Sequence, residues 1–132
     1  MAMKLKQLPA DYVEKKKHWL KELKQDTSIV RIDKECHIWC GATSGYRRKY
    51  GRASICTQGK PFLISTHVLA LFLEKAQVPD KGEDVSHLCH RTLCINTEHL
   101  KVEPHQINTQ RRICKKRRKC CGHGPNPDCI FP

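Results

Sequence analysis

The chain has 132 residues, which fits one domain, and its hydrophobic fraction of 39% includes nine cysteines. So low an apolar content predicts a thin hydrophobic core that cysteines and histidines reinforce by binding metal. The net charge of +12 says nothing about the fold, but it predicts attraction to a polyanion, of which nucleic acid is the most common.

The N-terminal residues contain no apolar stretch long enough for a signal peptide, and no run reaches the length of a transmembrane helix. We therefore expect a soluble intracellular protein that has no membrane partner and is made in a reducing compartment. Nine cysteines in such a compartment favour metal ligation over disulfides. A secreted protein rich in disulfides is the alternative.

The first predicted element is a basic helix over residues 11–25, which begins at Asp11 as N-cap and places Trp19 and Leu23 on one face. Strands and turns are expected over residues 28–64. They include strands at 29–32 and 36–39 and a hairpin of 52–56 with 62–64. A turn-rich loop over 41–51 contributes basic side chains that could reach bases or only phosphates, namely Arg47, Arg48 and Lys49.

A second helix is predicted to begin at Ser65 or Thr66 and to end at Pro79. It is the most apolar segment of the chain, so we expect it to form the main element of the core. Its predicted core face consists of Val68, Leu69, Phe72, Leu73 and Ala76.

Zinc in proteins takes four soft or borderline ligands in a tetrahedron, often as two close pairs. Cys89, Cys94 and His99 supply three ligands of a first predicted site, and the fourth is Cys36 or Cys40 from the strand region. A second predicted site fits inside sixteen residues and consists of Cys114, Cys121, His123 and Cys129, with Cys120 as the alternative to Cys121.

Four motifs stand together in the second half of the chain. They are Ser86-His87-Leu88-Cys89-His90, Leu93-Cys94-Ile95-Asn96, Glu98-His99-Leu100, and Asn108 followed by Arg111-Arg112-Ile113-Cys114. With these motifs the sequence resembles the His–Cys box homing endonucleases, which belong to the His-Me finger (ββα-metal, HNH-like) nucleases. Cys36 to Trp39 and Tyr50 to Arg52 resemble the N-terminal part of related HNH nucleases, so the resemblance runs from about residue 36 to residue 129.

The resemblance implies a role for each matching residue. His87 would be the general base, Asn108 would bind a catalytic Mg²⁺ or another divalent cation, and Arg52 would contact the scissile phosphate. The first of two structural zinc ions would be held by Cys36, Cys89, Cys94 and His99, and the second by Cys114, Cys121, His123 and Cys129. The chain departs from the family in the spacing from His123 to Cys129, which is two residues longer.

The predicted fold class is α+β, with a small antiparallel sheet and helices around a zinc-stapled ββα-metal finger. We expect one domain, made of a basic helix (1–27), strands and a helix (28–83), the finger (84–113) and a C-terminal zinc loop (114–132). The predicted function is that of a metal-dependent DNA endonuclease, and the alternative is a non-catalytic, zinc-stabilised DNA-binding module. Nucleic-acid contacts are also expected from Arg111 and Arg112.

RNA as substrate, and monomer or homodimer as the assembly, stay open at this point. The basic run 115–119 fits a nuclear localisation patch as well as a phosphate contact, so we expect a nuclear protein.

Overall fold

Helices and short antiparallel strands follow one another in the computed structural model, which describes residues 5–45, 49–57 and 59–131. This architecture confirms the predicted α+β class. None of the described helices is both long and apolar enough to cross a lipid bilayer. The helices are α1 (Ala10–Gln25), α2 (Thr66–Lys75) and α3 (His105–Arg117); the strands are β1 (Val30–Asp33), β2 (Cys36–Trp39), β3 (Thr43–Ser44), β4 (Tyr50–Thr57), β5 (Lys60–Ser65), β6 (Glu83–His87) and β7 (Leu100–Pro104).

Helix α1 lies where the sequence predicts it, but its start differs. Pro9 occupies the N-cap position and Asp11 lies in the first turn, where its carboxylate meets the positive end of the helix dipole rather than capping a backbone N–H. The prediction of Asp11 as N-cap is therefore wrong. Leu20 is the buried residue of this helix, and Lys16 lies over the ring of Trp19, 4.5 Å from its centroid.

The strand region forms two small sheets, β1–β2 and β3–β4–β5, in which every pairing is antiparallel. Strands β4 and β5 pair from Arg52 with Ser65 to Thr57 with Lys60, which confirms the predicted hairpin with longer strands. Gly51 on β4 is required by close packing, because a Cβ atom there would collide with Thr66 and Trp39.

Helix α2 begins after Ser65, as predicted, and supplies a large part of the core through Leu69, Ala70 and Leu73. It ends at Lys75 rather than at Pro79. Ala76 adopts a left-handed conformation with φ of 53°, and its N–H donates to the carbonyl of Phe72, which closes the helix three residues before the proline.

The last three elements form a ββα unit. Strands β6 and β7 pair from Glu83 with Pro104 to His87 with Leu100, and α3 follows β7 directly. The long connection from β6 to β7 returns to β2, where the N–H of Trp39 donates to the carbonyl of Leu93. This connection therefore brings cysteines of the finger next to a strand from the first half of the chain.

Candidate active site and zinc centres

The first zinc centre brings together Cys36, Cys89, Cys94 and His99, whose ligand atoms lie within 4.8 Å of one another and whose side chains are all buried. The Sγ atoms of Cys36 and Cys94 each lie 3.6 Å from Nδ1 of His99. A tetrahedral zinc ion with bonds of about 2.3 Å to sulfur and about 2.0 Å to nitrogen requires separations close to this. The four residues therefore fit the ion, whereas Cys40 is exposed and lies outside the group.

The groups around Cys94 favour the ionised form of its thiol. A hydrogen bond from the Cys89 thiol, followed by backbone N–H groups, lowers the pKa of Cys94 to about 5, against the effect of burial. Cys94 is thus poised as the thiolate that zinc binds. His90, which adopts a left-handed φ of 63°, turns the chain between Cys89 and Cys94.

The second zinc centre groups Cys114, Cys120, His123 and Cys129 within the same 4.8 Å limit. The Sγ atoms of Cys114 and Cys129 each lie 3.6 Å from Nε2 of His123, so this set also fits a tetrahedral zinc ion.

Cys120 takes the place for which the sequence favoured Cys121. Arg118 ends α3 in a left-handed conformation and turns the chain back, so that the half-buried Cys120 accepts a hydrogen bond from the N–H of Cys129. Cys121 is exposed and stands outside the group of four, although its Sγ lies 3.5 Å from that of Cys114.

A cavity of about 430 Å³ lies on the ββα unit, and its lining includes the two residues of that unit that the sequence assigns to catalysis. One side is formed by β6, β4 and the connection after β6, and the other by α3. Its lining consists of Tyr50, His87, His90, Thr92, Asn108, Arg111, Arg112, Lys115 and Lys116.

His87 ends β6 and is 9% exposed. The backbone carbonyl of Cys94 acts on the imidazole as a hydrogen-bond acceptor, and the buried Nε2 has no hydrogen-bond partner, which assigns the proton to Nδ1. Burial lowers the pKa of His87 well below its usual value. The ring is therefore neutral at pH 7, and the buried Nε2 of this cavity-lining residue keeps an unused lone pair.

Asn108 lies in the first turns of α3 and is held by two side chains of β6. Its Nδ2 donates to Asp84 over 3.0 Å, and its Oδ1 accepts from the hydroxyl of Ser86 over 2.9 Å. Burial alone would raise the pKa of Asp84, but hydrogen bonds from Asn108 and His105 hold it below the usual value. The carboxylate is therefore ionised and fixes which way the Asn108 amide faces.

The model of one protein family, described as the zinc-binding loop region of homing endonuclease, matches residues 34–132. The chain belongs to this homing endonuclease family. Its match covers the two zinc centres, the ββα unit and the strands that carry Cys36 and Arg52. Searches of curated proteins and of solved structures returned no significant match.

The basic residues that the sequence predicts to contact nucleic acid do not all lie at the cavity. Arg52 lies on β4, donates through Nη1 to Ser65 over 2.7 Å and through Nε to Ser44, and is not part of the cavity lining. Lys49 is exposed, and Arg112 is exposed at the cavity. The predicted contacts of Arg47 and Arg48 lie outside the described residues.

Arg111 has a different position from the one expected of a nucleic-acid contact. Its side chain is 2% exposed and donates to both carboxylate oxygens of Glu103, over 2.6 and 2.8 Å, to the carbonyl of Pro127 and to Sγ of Cys129. Four of the five N–H donors of Arg111 bond inside the protein, while the residue also lies in the cavity lining, so its contact with nucleic acid stays a prediction. The residue joins α3 to β7 and to the second zinc centre.

His67 is a residue of the site to which sequence reasoning gave no role. It lies in the first turn of α2, and its ring centroid is 4.4 Å from that of His87 and 5.7 Å from that of Tyr50. Burial, followed by the charge of Arg52, lowers the pKa of His67 to about 4, so the ring is neutral. The only signal in the sequence is one histidine at the start of an otherwise apolar helix.

Proposed function

We propose that this chain is a metal-dependent endonuclease that hydrolyses phosphodiester bonds of DNA, with His87 as general base and Asn108 as a ligand of Mg²⁺. The observation that carries the proposal is the buried, unpartnered Nε2 of His87, which shares its cavity with Asn108 and with exposed cations of α3. A buried acceptor without a partner costs free energy. A general base must keep such a lone pair free, and His87 combines it with a place in the cavity that Asn108 also lines.

The proposed role of His87 as general base depends on its hydrogen bond to the carbonyl of Cys94. The carbonyl fixes Nδ1 as the protonated nitrogen, so that Nε2 can take a proton from the water that attacks the phosphorus. The lowered pKa keeps the ring unprotonated at neutral pH. Since Cys94 is itself a ligand in the first zinc centre, that centre holds the base in register with the cavity.

Asn108 offers an amide oxygen, which is the kind of donor that Mg²⁺ accepts. Mg²⁺ keeps several waters and needs only one or two protein oxygens, so this donor set fits the ion. Asp84 and Ser86 hold the amide so that Oδ1 keeps a second lone pair for a ligand. When bound, the ion stabilises negative charge on the phosphate and on the leaving oxygen.

Arg52 is proposed to meet the phosphate from the sheet. Ser44 and Ser65 take two of its five N–H donors and fix the direction of the guanidinium. The other donors stay available for phosphate oxygens, and Lys49 adds a charge near the same end of β4. The two zinc ions have four protein ligands each, so their role is structural.

The test is cleavage of supercoiled plasmid in Mg²⁺ by the wild type and by His87→Ala, with DNA binding measured in buffer without Mg²⁺ or chelator and zinc measured by elemental analysis. Loss of a general base should slow nicking by about 10²- to 10⁴-fold while binding and two zinc ions per chain are retained. His18→Ala is the matched control, since His18 is exposed on α1 and remote from the cavity.

The outcomes separate the two functions. Cleavage by the wild type and by His18→Ala, but not by His87→Ala, supports the nuclease. If neither the wild type nor His87→Ala cuts duplex DNA while both bind it, the enzyme proposal fails and a zinc-stabilised DNA-binding module replaces it.

A further inference from the structure

Most of helix α3 lies on the C-terminal side of Asn108, away from the pair formed by His87 and Asn108. Asn108 is the fourth of its thirteen residues, and the three residues before it carry no lysine or arginine. Beyond Asn108, the cavity lining continues with Arg112, Lys115 and Lys116. At about 100° per residue, these three lie within about 80° of Asn108 around the helix axis. One face of the helix therefore carries a row of cations that begins beside the candidate active site.

These three cations are not neutralised by the protein. All three side chains are exposed, and within residues 5–45, 49–57 and 59–131 none forms an ion pair with a carboxylate. The carboxylate of Asp84 interacts with Arg112 through its charge, but it already accepts from Asn108 and His105. Unpaired positive charge on a cavity wall attracts an anionic ligand.

The length of the row fits a nucleic-acid strand. Lys116 lies eight residues beyond Asn108, which is about 12 Å along the helix axis. Phosphates of one DNA strand advance by about 3.4 Å along the duplex axis, so the row spans roughly three nucleotides. Arg112 can bind a phosphate through two N–H groups, and each lysine can act as a point charge.

We propose that Arg112, Lys115 and Lys116 form a phosphate-binding track that holds about three successive phosphates of the cleaved strand, all on the same side of the scissile phosphate. The inference rests on the proposed function, because it takes the His87–Asn108 pair as the place of cleavage. The track is one-sided because α3 begins next to Asn108 and ends at the second zinc centre. Cations at a helix C-terminus also stabilise the helix by interacting with its dipole. The test has to separate this stabilisation from DNA binding.

Arg117 is the matched control. It carries the same charge, is exposed, and lies in the last turn of α3 with Lys115 and Lys116. It differs in position, because it lies nine residues beyond Asn108, about 180° around the helix axis, and is not part of the cavity lining. Its replacement removes the same net charge and a similar dipole interaction. Only contact with the bound strand distinguishes it from the residues of the track.

The first measurement is binding of a 30-base-pair duplex at several salt concentrations, in buffer without Mg²⁺ and without a chelator, so that cleavage is prevented while the zinc centres stay intact. Log K falls as log salt rises, and the steepness of this fall reports the number of phosphate contacts. Each of Arg112→Ala, Lys115→Ala and Lys116→Ala should make the slope less negative by about 0.9 and weaken binding about fivefold to tenfold at 0.1 M salt. Arg117→Ala should leave the slope unchanged. Equal losses for Arg117→Ala, or no loss for the track variants, would overturn the proposal.

The second measurement locates the track on the substrate. DNA carrying random ethylated phosphates is cut in Mg²⁺, and each interfering phosphate is numbered from the cleaved bond, which requires no knowledge of a preferred sequence. We expect interference on one flank over about three phosphates, and we expect Lys116→Ala to lose the most distant position. Interference on both flanks overturns one-sidedness. If no protein cuts DNA but the salt slopes change as expected, the nuclease proposal fails while the track stands as a binding site.

Discussion

The buried pair of Arg111 and Glu103 gives the sharpest prediction of stability. The exposed fractions of the two side chains are 2% and 0%, and two charge-assisted hydrogen bonds join them. Arg111→Met leaves the Glu103 carboxylate buried without its partner, and breaking such a pair costs about 3–5 kcal/mol. The total free energy of unfolding of a domain is about 5–15 kcal/mol, so the loss is a large share of it.

The free energy of unfolding is measured in guanidinium chloride at saturating zinc, with the fluorescence of Trp19 and Trp39 as the signal. A loss of 3–5 kcal/mol should lower the melting temperature of a chain of this length by on the order of 10 °C. Zinc should also leave the protein faster in a competition with a chromogenic chelator, because Arg111 donates to Sγ of Cys129 in the second zinc centre.

Two variants make the result decisive. Arg112→Met changes the neighbouring residue, which is exposed, and should cost less than about 1 kcal/mol. In Arg111→Met/Glu103→Leu no charge is left unpaired, so this double variant should be more stable than Arg111→Met alone. If Arg111→Met is no less stable than Arg112→Met, the reasoning from the buried ion pair is refuted.

Three further predictions concern the zinc centre, the pH and the metal. Cys120→Ser should lower zinc content from two ions to one per chain while Cys121→Ser keeps two, and the reverse pattern would refute the grouping of ligands. Because burial lowers the pKa of His67 to about 4, the folded chain excludes a proton that the unfolded chain binds below about pH 6.5. Stability should therefore fall from about pH 6.5 toward pH 4 by up to about 3 kcal/mol, and denaturation of His67→Gln at each pH should give a flatter profile. Asp84→Ala frees the amide of Asn108, so the Mg²⁺ concentration for half-maximal cleavage should rise about 10- to 100-fold, and an unchanged requirement would contradict the assigned orientation.

Patterns that depend on neighbours in the sequence predicted much of this fold. The hairpin of β4 and β5 follows from two apolar runs around a turn, and the start of α2 follows from Ser65 before an amphipathic run. The end of α2 was missed because Ala76 takes a left-handed conformation that alanine seldom adopts. A proline marks only the last point at which a helix can end.

Features that depend on packing could not be read from the sequence. The ligand spacing favoured Cys121 but also admitted Cys120, and the turn after Arg118 places Cys120 against Cys129. The burial of Arg111 depends on a carboxylate eight residues away, which pairs with it only once α3 lies on the hairpin. An arginine beside a second arginine gives no sign of this partner in the sequence.

The two zinc centres constrain different parts of the candidate site. The first includes Cys94, whose carbonyl accepts from His87 and so sets the position of the proton on that ring. The second includes Cys129, which accepts from Arg111 and thereby fixes the helix that carries Asn108. The orientation of the His87 ring should therefore depend on zinc in the first centre, and the placement of Asn108 on zinc in the second. Since metal binding contributes directly to folding free energy, positional precision and stability come from the same bonds, which suits a chain whose apolar core is thin.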